Sequence, residues 1–569
     1  MVVLGSAVPT PLAESPASVL ILPVEGRTLA AETPLDLLRD DSSIFLEQRG
    51  AGGAQSDLTL RGGGFAQTLV LVNGFRVNDS QTAHHNLDLP IPLDAMDSIQ
   101  VLHGAGSTLH GADALSGVVD FLTAAPSRSS LRLRSGAGSF GENEESVLAE
   151  LARKQASLRL TASRNFSTGF MTDRDYRNED ASLESWTGSR LGVSDLAFAA
   201  SDRSFGANQF YGPYNSWERT KEWFASARQE LGARSVAGFG YRRHTDEFVL
   251  LRNDPSVYEN NHIDGSWQAS LRHTVSLAGS SVLLFGMESD GDSIHSNNLG
   301  LHARNRGAGY IDLDLRPAAK RWNLSAGLRE ELFSGGLQSA LSPHLAGSLR
   351  LTNGLKLRAS GGYGFRLPTY TDLYYSDPTT LGNSKLKPES AWSGEGGVDW
   401  AASSRLLFSA TGFYNRQHNA IDYVRANATE PWQAANLSGL HFRGVETSMT
   451  WIPLKTQSIR IGWTGLQGAQ DALHGLQSEY IFNYPVENIH ASWTADLGRA
   501  VTLNNTVQIA QRYQQMAYPV WNASLTHDSG RLRPYFRLGN LSNTGYQEIQ
   551  GIAMPGRSIA GGFALQFGR

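Results

Sequence analysis

The sequence predicts an all-β membrane protein: an antiparallel transmembrane β-barrel of about 22 strands with a small N-terminal α/β domain inside its lumen. Three observations carry that reading. From about residue 128 onward, apolar residues recur with a period of two. Short and long connections between the strand-like runs alternate almost without exception. The leading segment, residues 13–125, has mixed helix and strand signals on the scale of a domain that could fill so wide a barrel.

Within that leading segment, "PASVLIL" reads as a short strand, and "TPLDLLRD" as a short helix with Thr33 as N-cap and Pro34 in its first turn. Next come the strand "SDLTLRG" and the run "RGGGFAQTLVLVNGFRVND", where Asn73-Gly74 between two apolar stretches is a strong hairpin signal. The strand "MDSIQVLHG", a helical turn near Ser107–His110 and the strand "GVVDFLT" complete the domain.

Beyond it, "RWNLSAGLRE" alternates Trp322, Leu324, Ala326 and Leu328 with Asn323, Ser325, Gly327 and Arg329, and "GVETSMTW" repeats the pattern. A soluble sandwich would alternate too, so connection length decides. Tight turns such as "ARKQA", "TNG" and "HDSG" interleave with long links such as "FSTGFMTDRDYRNED", "DRSFGANQFYGPYNSWERTK" and "YGFRLPTYTDLYYSDPTTLGNSKLKPE". Short turns at one end and long loops at the other are the pattern of an outer-membrane barrel, here spanning residues 128–569.

Composition agrees and excludes several classes. The 569 residues include no cysteine, which removes thiolate metal sites and cysteine catalysis and suits an oxidising cell envelope. A net charge of −5 gives no basic balance for nucleic acid. Mean hydropathy is −0.29 with no helix-length apolar run, as expected when lipid-facing and lumen-facing residues average out. The glycine cluster Gly62–Gly64 lacks the P-loop spacing, and no G-x-S-x-G or H-E-x-x-H pattern occurs. The glycines are read as turn and close-approach positions, and the protein is not expected to be an enzyme.

Four segments in order resemble the TonB-dependent outer-membrane receptor family, nearest its vitamin B12 (cobalamin) receptor-like branch. They are "LTLRGGGFAQTLVLVNGFRVND", "MDSIQVLHGAGSTLHGADALSGVVDFLT", "FRLPTYTDLYYSDPTTLGNSKLKPES" and "NLSNTGYQEIQGIAMPGRSIAGGFALQF". The resemblance implies a monomeric active transporter in the cell outer membrane, surrounded by lipid and lipopolysaccharide. Its cargo would be a large, scarce small molecule, and its partner TonB with the inner-membrane motor complex. No cofactor is required. Residues 1–12 would be the TonB-coupling segment, of which Val2, Val3 and Leu4 match. Arg61 would be a plug arginine forking onto barrel glutamates. His103-Gly104-Ala105 stands where the family has Arg-Gly-Pro, so that pairing would rest on Arg61 alone.

Residues 78–90, "NDSQTAHHNLDLP", form a polar link of functional length. Asn78, Asp79, Gln81, His84, His85 and Asn86 offer donors and acceptors for an amide-rich ligand, and the two histidines offer metal ligands. The resemblance places this loop at the exterior face of the plug. Phe210, Tyr211, Tyr214 and Trp217, with Tyr370, Tyr374 and Tyr375, would supply aromatic lining from long loops. Asp173, Asp175, Glu179 and Asp180 are candidate calcium ligands by resemblance, although their spacing fails the EF-hand pattern. Haem receptors of the family carry a histidine between the FRxP and GN-x-x-L elements; this chain has none between Phe365 and Leu386, so the resemblance disfavours haem. Cobalamin or a related corrinoid is the expected cargo. A ferric siderophore or other metal chelate, or a passive capped porin or adhesin, are the alternatives.

Overall fold

The computed structural model of the chain describes residues 4–6, 8–317, 321–334, 339–470, 473, 475–481 and 483–568. Val2 and Val3 lie outside the described residues, whereas Leu4 is buried with Leu69, Leu71 and Leu102 of the inner domain and is not presented to a partner strand here. Twenty-two antiparallel strands, from Ser130–Gly138 to Ser558–Phe567, close into a barrel. Closure runs through Leu131 paired with Phe567 and Gly138 paired with Ala560. Every sheet edge is thereby used, as a lipid environment demands.

The alternation is apolar outward and polar inward. In Trp322–Phe333, Trp322 and Leu328 are exposed while Ser325 and Arg329 are buried. Along Asn215–Leu231, Trp223 is 52% exposed, whereas Glu222 beside it is 1% exposed. A water-soluble sandwich would show the opposite sense, so the outer surface faces hydrocarbon. No helix among the described residues is long and apolar enough to cross a membrane; the strands do so.

Strands reach 17 residues in Gly192–Asn208 and 18 in Glu259–Ser276, well beyond the roughly 9–11 that span a bilayer. The extra length corrects the expected loop sizes. The predicted long links around Asp173 and Tyr211 shrink to residues 168–175 and 209–214, because the flanking segments stay hydrogen-bonded as projecting hairpins. Link 367–388 is long as expected, and residues 540–557, within the stretch matched to the family's closing strands, form a further long link. Pieces of three long links, Thr380–Leu381, Trp432–Leu437, Ala420–Arg425 and Gln477–Ser478, pair into a small exterior sheet.

The inner domain is a five-stranded mixed sheet in the order Val19–Pro23, Ser98–His103, Gly117–Leu122, Thr68–Val72, Phe75–Arg76, with a separate hairpin Ile44–Gln48/Ser56–Leu60. The predicted turn is present: Val72 pairs with Phe75, and Asn73 and Gly74 adopt φ of 53° and 82°, the type I′ geometry. Helix Pro34–Leu38 begins where expected, with the Thr33 amide donating to Asp36 Oδ2 at 3.0 Å. Its Leu35, Leu37 and Leu38 pack with Leu22, Ile44 and Val70 into the domain core. This burial sets the domain's shape; polar groups fasten it to the barrel wall.

Candidate functional site

A vestibule of about 1330 Å³ lies between the exterior loops and the inner domain. Its floor is the loops around Gly62–Gln67 and Gln81–His85; its walls come from barrel loops carrying Tyr211, Tyr258, Tyr375 and Tyr480. That is somewhat above the roughly 300–1,000 Å³ of a typical small-ligand pocket.

The structure divides the predicted plug residues. Gln81, His84 and His85 line the vestibule. His84 stacks on Phe65 with ring centroids 4.2 Å apart, and its Nδ1 lies 2.9 Å from Asp57 Oδ1. Asn78 points inward: its Oδ1 accepts from Val70 N at 2.7 Å and its Nδ2 donates to Thr68 O at 3.1 Å, fastening the loop to a strand. Asn86 Oδ1 accepts from the Asp79 amide at 2.7 Å. Asp79 Oδ1 accepts from the amides of Gln81 and Thr82. These three side chains build the loop; they do not line the cavity.

The aromatics divide similarly. Tyr211, Tyr214 and Tyr375 face the vestibule with Phe210 at its rim. Tyr211 Oη donates to Gln55 or Glu218, at 2.6 and 2.9 Å. Tyr370 is buried with its hydroxyl donating to Asp292 Oδ1 at 2.8 Å, and Tyr374 stacks on His302 at 3.7 Å. Trp217 sits on strand Asn215–Leu231, one residue out of phase with the buried Ser216, Glu218 and Thr220, so it points away from the lumen. The short loop, with its strand continuing to Asn215, is the reason. Sequence reasoning missed Tyr258, Tyr423, Trp432 and Tyr480, which complete the lining. The only cue was their position in long connections.

The four acidic candidates are not gathered. Asp173 accepts from Arg252 Nη1 at 3.2 Å, and Asp175 is bound by the same guanidinium. Glu179 faces outward beside Arg164 at 3.4 Å, while Asp180 faces inward against Arg203 at 3.0 Å.

The vestibule lining carries eight carboxylates, among them Glu47, Asp57, Asp377 and Glu479, against the two arginines Arg49 and Arg366. Burial, reinforced by nearby Asp57, pushes Glu47 up to about 8. Burial and Asp422 push Glu479 up to about 8 as well. Both therefore carry protons near neutrality. Asp57 goes the other way: burial would raise it, but His84 and Arg49 hold it low. The cavity is aromatic and amphipathic, with no net positive wall.

Below the floor, several polar seams tie the inner domain to the barrel, and two of them carry the predicted residues Arg61 and Asp79. In the first, Arg61 forks onto Glu446, with Nε–Oε1 and Nη2–Oε2 at 2.6 Å, reaches Glu395 Oε2 at 2.5 Å, and lies 4.7 Å above the Phe413 ring. Pairing to barrel glutamates does not rest on Arg61 alone, because the inner domain's Arg39 also donates from Nη2 to Glu548 Oε1 at 2.8 Å. Arg358, from barrel strand Leu355–Arg366, approaches Glu395 Oε1 at 3.4 Å and supplies the second guanidinium. His103 turns instead to Asp41, Nε2 to Oδ2 at 2.8 Å. Burial would lower the His103 pKa, but Asp41 raises it.

In the second seam, residues 79–88 meet three neighbouring strands. Register places Glu222, His244 and Asp264 in one cross-strand row and Thr220, Asp246 and His262 in the next. Arg242 is the central cation, 3.2 Å from Asp79, 3.0 Å from Glu222 and 3.1 Å from Asp264. Burial opposes charge on Asp79, yet His244 and Arg242 hold it well below the carboxylate range. Burial likewise opposes charge on His85, and the carboxylates of Asp88 and Glu218 raise it well above the usual imidazole value.

The comparisons with known proteins fit this geometry. Residues 135–557 match the family model described as "TonB dependent receptor-like, beta-barrel", and residues 11–118 match "TonB-dependent Receptor Plug Domain". The vitamin B12 transporter BtuB of Photobacterium profundum is 24% identical over 468 residues, covering 76% of this chain and 73% of that protein. An iron-regulated outer membrane virulence protein of Vibrio cholerae is also 24% identical, over 72% of this chain and 69% of its own length. Among solved structures, the FrpB iron transporter of Neisseria meningitidis superposes with a TM-score of 0.81 at 14% identity, covering 96% of this chain and 99% of that one. A ferric enterobactin receptor of Pseudomonas aeruginosa gives 0.78 at 16%, covering 97% and 99%. At these identities the solved structures speak for the fold alone.

Proposed function

This chain belongs to the TonB-dependent outer-membrane receptor family, and from that premise we propose that it imports cobalamin or a related corrinoid. The observation that carries the cargo reading is the vestibule's lining. A corrinoid is large, rich in amides and without strong net negative charge. Tyr211, Tyr258 and Tyr375 offer it ring faces and hydroxyls, and Gln81 and His84 offer polar contacts from the floor. A ferric catecholate carries several negative charges and would meet a lining with more carboxylates than arginines. The relatives named for vitamin B12 support the first reading; the iron-related relative keeps the chelate as the second.

In this reading the loops and plug floor hold cargo while the seams keep the lumen shut. Residues 1–12 then release Leu4 from its packing against Leu69 and Leu102 and add as a strand to TonB. Force from the inner-membrane proton gradient shifts the plug, residues 13–125, within the barrel, residues 128–569. No chemistry on the cargo is required.

Equilibrium binding to the detergent-purified protein tests the cargo. Cobalamin is expected to bind at submicromolar Kd and ferric siderophores far more weakly; micromolar or weaker affinity for every corrinoid removes the assignment. Deleting residues 1–10 should abolish uptake and leave binding intact. Uptake that survives collapse of the proton gradient would favour the passive capped barrel instead.

A further inference from the structure

The second seam holds more anionic groups than its arginine can satisfy, and its histidines are arranged in a specific way. Asp79, Glu222 and Asp264 are buried around the single guanidinium of Arg242, and the equally buried Asp88, Glu218 and Asp246 meet the imidazoles of His85 and His244 instead. Arg203, which approaches Asp88, is already held by Asp180. Two imidazole nitrogens in this pocket have no hydrogen-bond partner: His85 Nδ1 and His244 Nε2. Both residues are at least 98% buried, with exposures of 2% and 0%. Both orphan nitrogens face one oxygen, Asp88 Oδ2, at 3.2 and 3.8 Å, and the three atoms lie within 4.8 Å of one another.

The opposite nitrogen of each ring is held by a carboxylate. His85 Nε2 lies 3.1 Å from Glu218 Oε1. His244 Nδ1 lies 3.0 Å from Asp79 Oδ2 and 3.2 Å from Asp264 Oδ1. A carboxylate on the far nitrogen fixes the tautomer and raises the basicity of the near one, which is the outer-shell arrangement of metal-ligating histidines. Ligands about 2.0–2.1 Å from a tetrahedral ion sit about 3.3 Å apart, against 3.2 and 3.8 Å for the two nitrogen–oxygen pairs here.

We propose that His85 Nδ1, Asp88 Oδ2 and His244 Nε2 hold one divalent transition-metal ion, which pins the plug loop 79–88 to the barrel wall. Two nitrogens and one oxygen suit Zn²⁺, Co²⁺ or Ni²⁺ and not Ca²⁺, which takes six to eight oxygens. The ion offsets part of the buried negative charge and satisfies both orphan nitrogens. It is a fixed staple, separate from cargo: His85 touches the vestibule, but Asp88 and His244 lie behind it. The proposal is therefore independent of whether the cargo is a corrinoid.

The test uses the full chain in detergent, stripped with a chelator and titrated with Co²⁺. One equivalent should produce the visible bands of a four-coordinate site, be displaced by stoichiometric Zn²⁺, and resist excess Ca²⁺. His85→Ala and His244→Gln should each abolish the bands, and His84→Ala should leave them unchanged. Glu218→Gln, which keeps all three ligands, should weaken affinity about 10–100-fold. Wild-type protein that takes up no Co²⁺, or loses it to Ca²⁺, overturns the proposal, as does equal loss in His84→Ala. Should a variant fail to fold, X-ray absorption of the wild-type Zn²⁺ form decides: two imidazoles support the site, and none refutes it.

Discussion

The Arg61 and Arg242 seams between plug and barrel are built from the same residue types and balanced differently. Around Arg61, two guanidiniums face two glutamates, and Arg61 uses Nε, Nη1 and Nη2 on them. Around Arg242 and the two imidazoles, six buried carboxylates share one guanidinium, and two imidazole nitrogens have no hydrogen-bond partner. A matched buried pair is costly to break because removing one member strands the other's charge. An unmatched cluster gains from losing a charge or acquiring a cation. The first seam is thus a lock of fixed composition, and the second is a site whose composition depends on what binds there.

Breaking the lock should have the largest effect. Arg61→Ala leaves Glu395 and Glu446 buried against Arg358 alone, and should loosen plug docking by roughly 3–5 kcal/mol. Hydrogen exchange of plug amides and cellular entry of a large hydrophilic antibiotic would read the change. Arg61→Lys keeps the charge but loses the fork, so it should fall between Ala and wild type.

Charge removal sharpens the contrast. Glu395→Gln, in the matched seam, should cost about 3 kcal/mol or more. Glu222→Gln, in the surplus seam, should cost less than about 1 kcal/mol or stabilise docking, since Arg242 keeps Asp79 and Asp264. Equal costs at the two positions would dissolve the distinction.

Between the seams and the solvent, Glu47 gives a pH signature. Its carboxyl rises from 4.5 to about 8 on burial. Docked plug then binds a proton that the undocked chain releases, so this group favours docking fully below pH 4.5 and loses that contribution as pH rises through 8. Plug opening, followed by hydrogen exchange corrected for intrinsic rates, should steepen toward pH 8 in wild type. Glu47→Gln should flatten that slope.

Much of this was legible in the chain because a period of two is a local signal. Trp322 and Leu328 alternating with Ser325 and Arg329 announce a strand with two unlike faces, and the apolar face had to meet lipid once the connections showed a barrel. The Asn73-Gly74 turn and the Thr33 cap are equally local. The second seam was hidden, because His244, Glu222 and Asp264 are ordinary inward positions in three separate strands. Only register brings them within reach of His85, some 160 residues away. Asn78 and Asn86 were misjudged for a related reason. A list of donors and acceptors cannot distinguish a side chain that faces a ligand from one that clamps its own loop.

The smallest expected effect lies at the exterior carboxylates, which make the control for both seams. Glu179 and Arg164 are 41% and 45% exposed at 3.4 Å, so water screens the pair and the strand ladder holds its geometry without it. Glu179→Gln should change stability by less than about 1 kcal/mol. Asp173 and Asp175 are already shared with Arg252, so a calcium ion would have to displace a guanidinium to bind there. Removing calcium with a chelator is expected to shift neither thermal stability nor loop exchange. A calcium-dependent gain confined to residues 168–175 would show that hard-cation binding belongs to the exterior loops, leaving the buried histidines to softer ions.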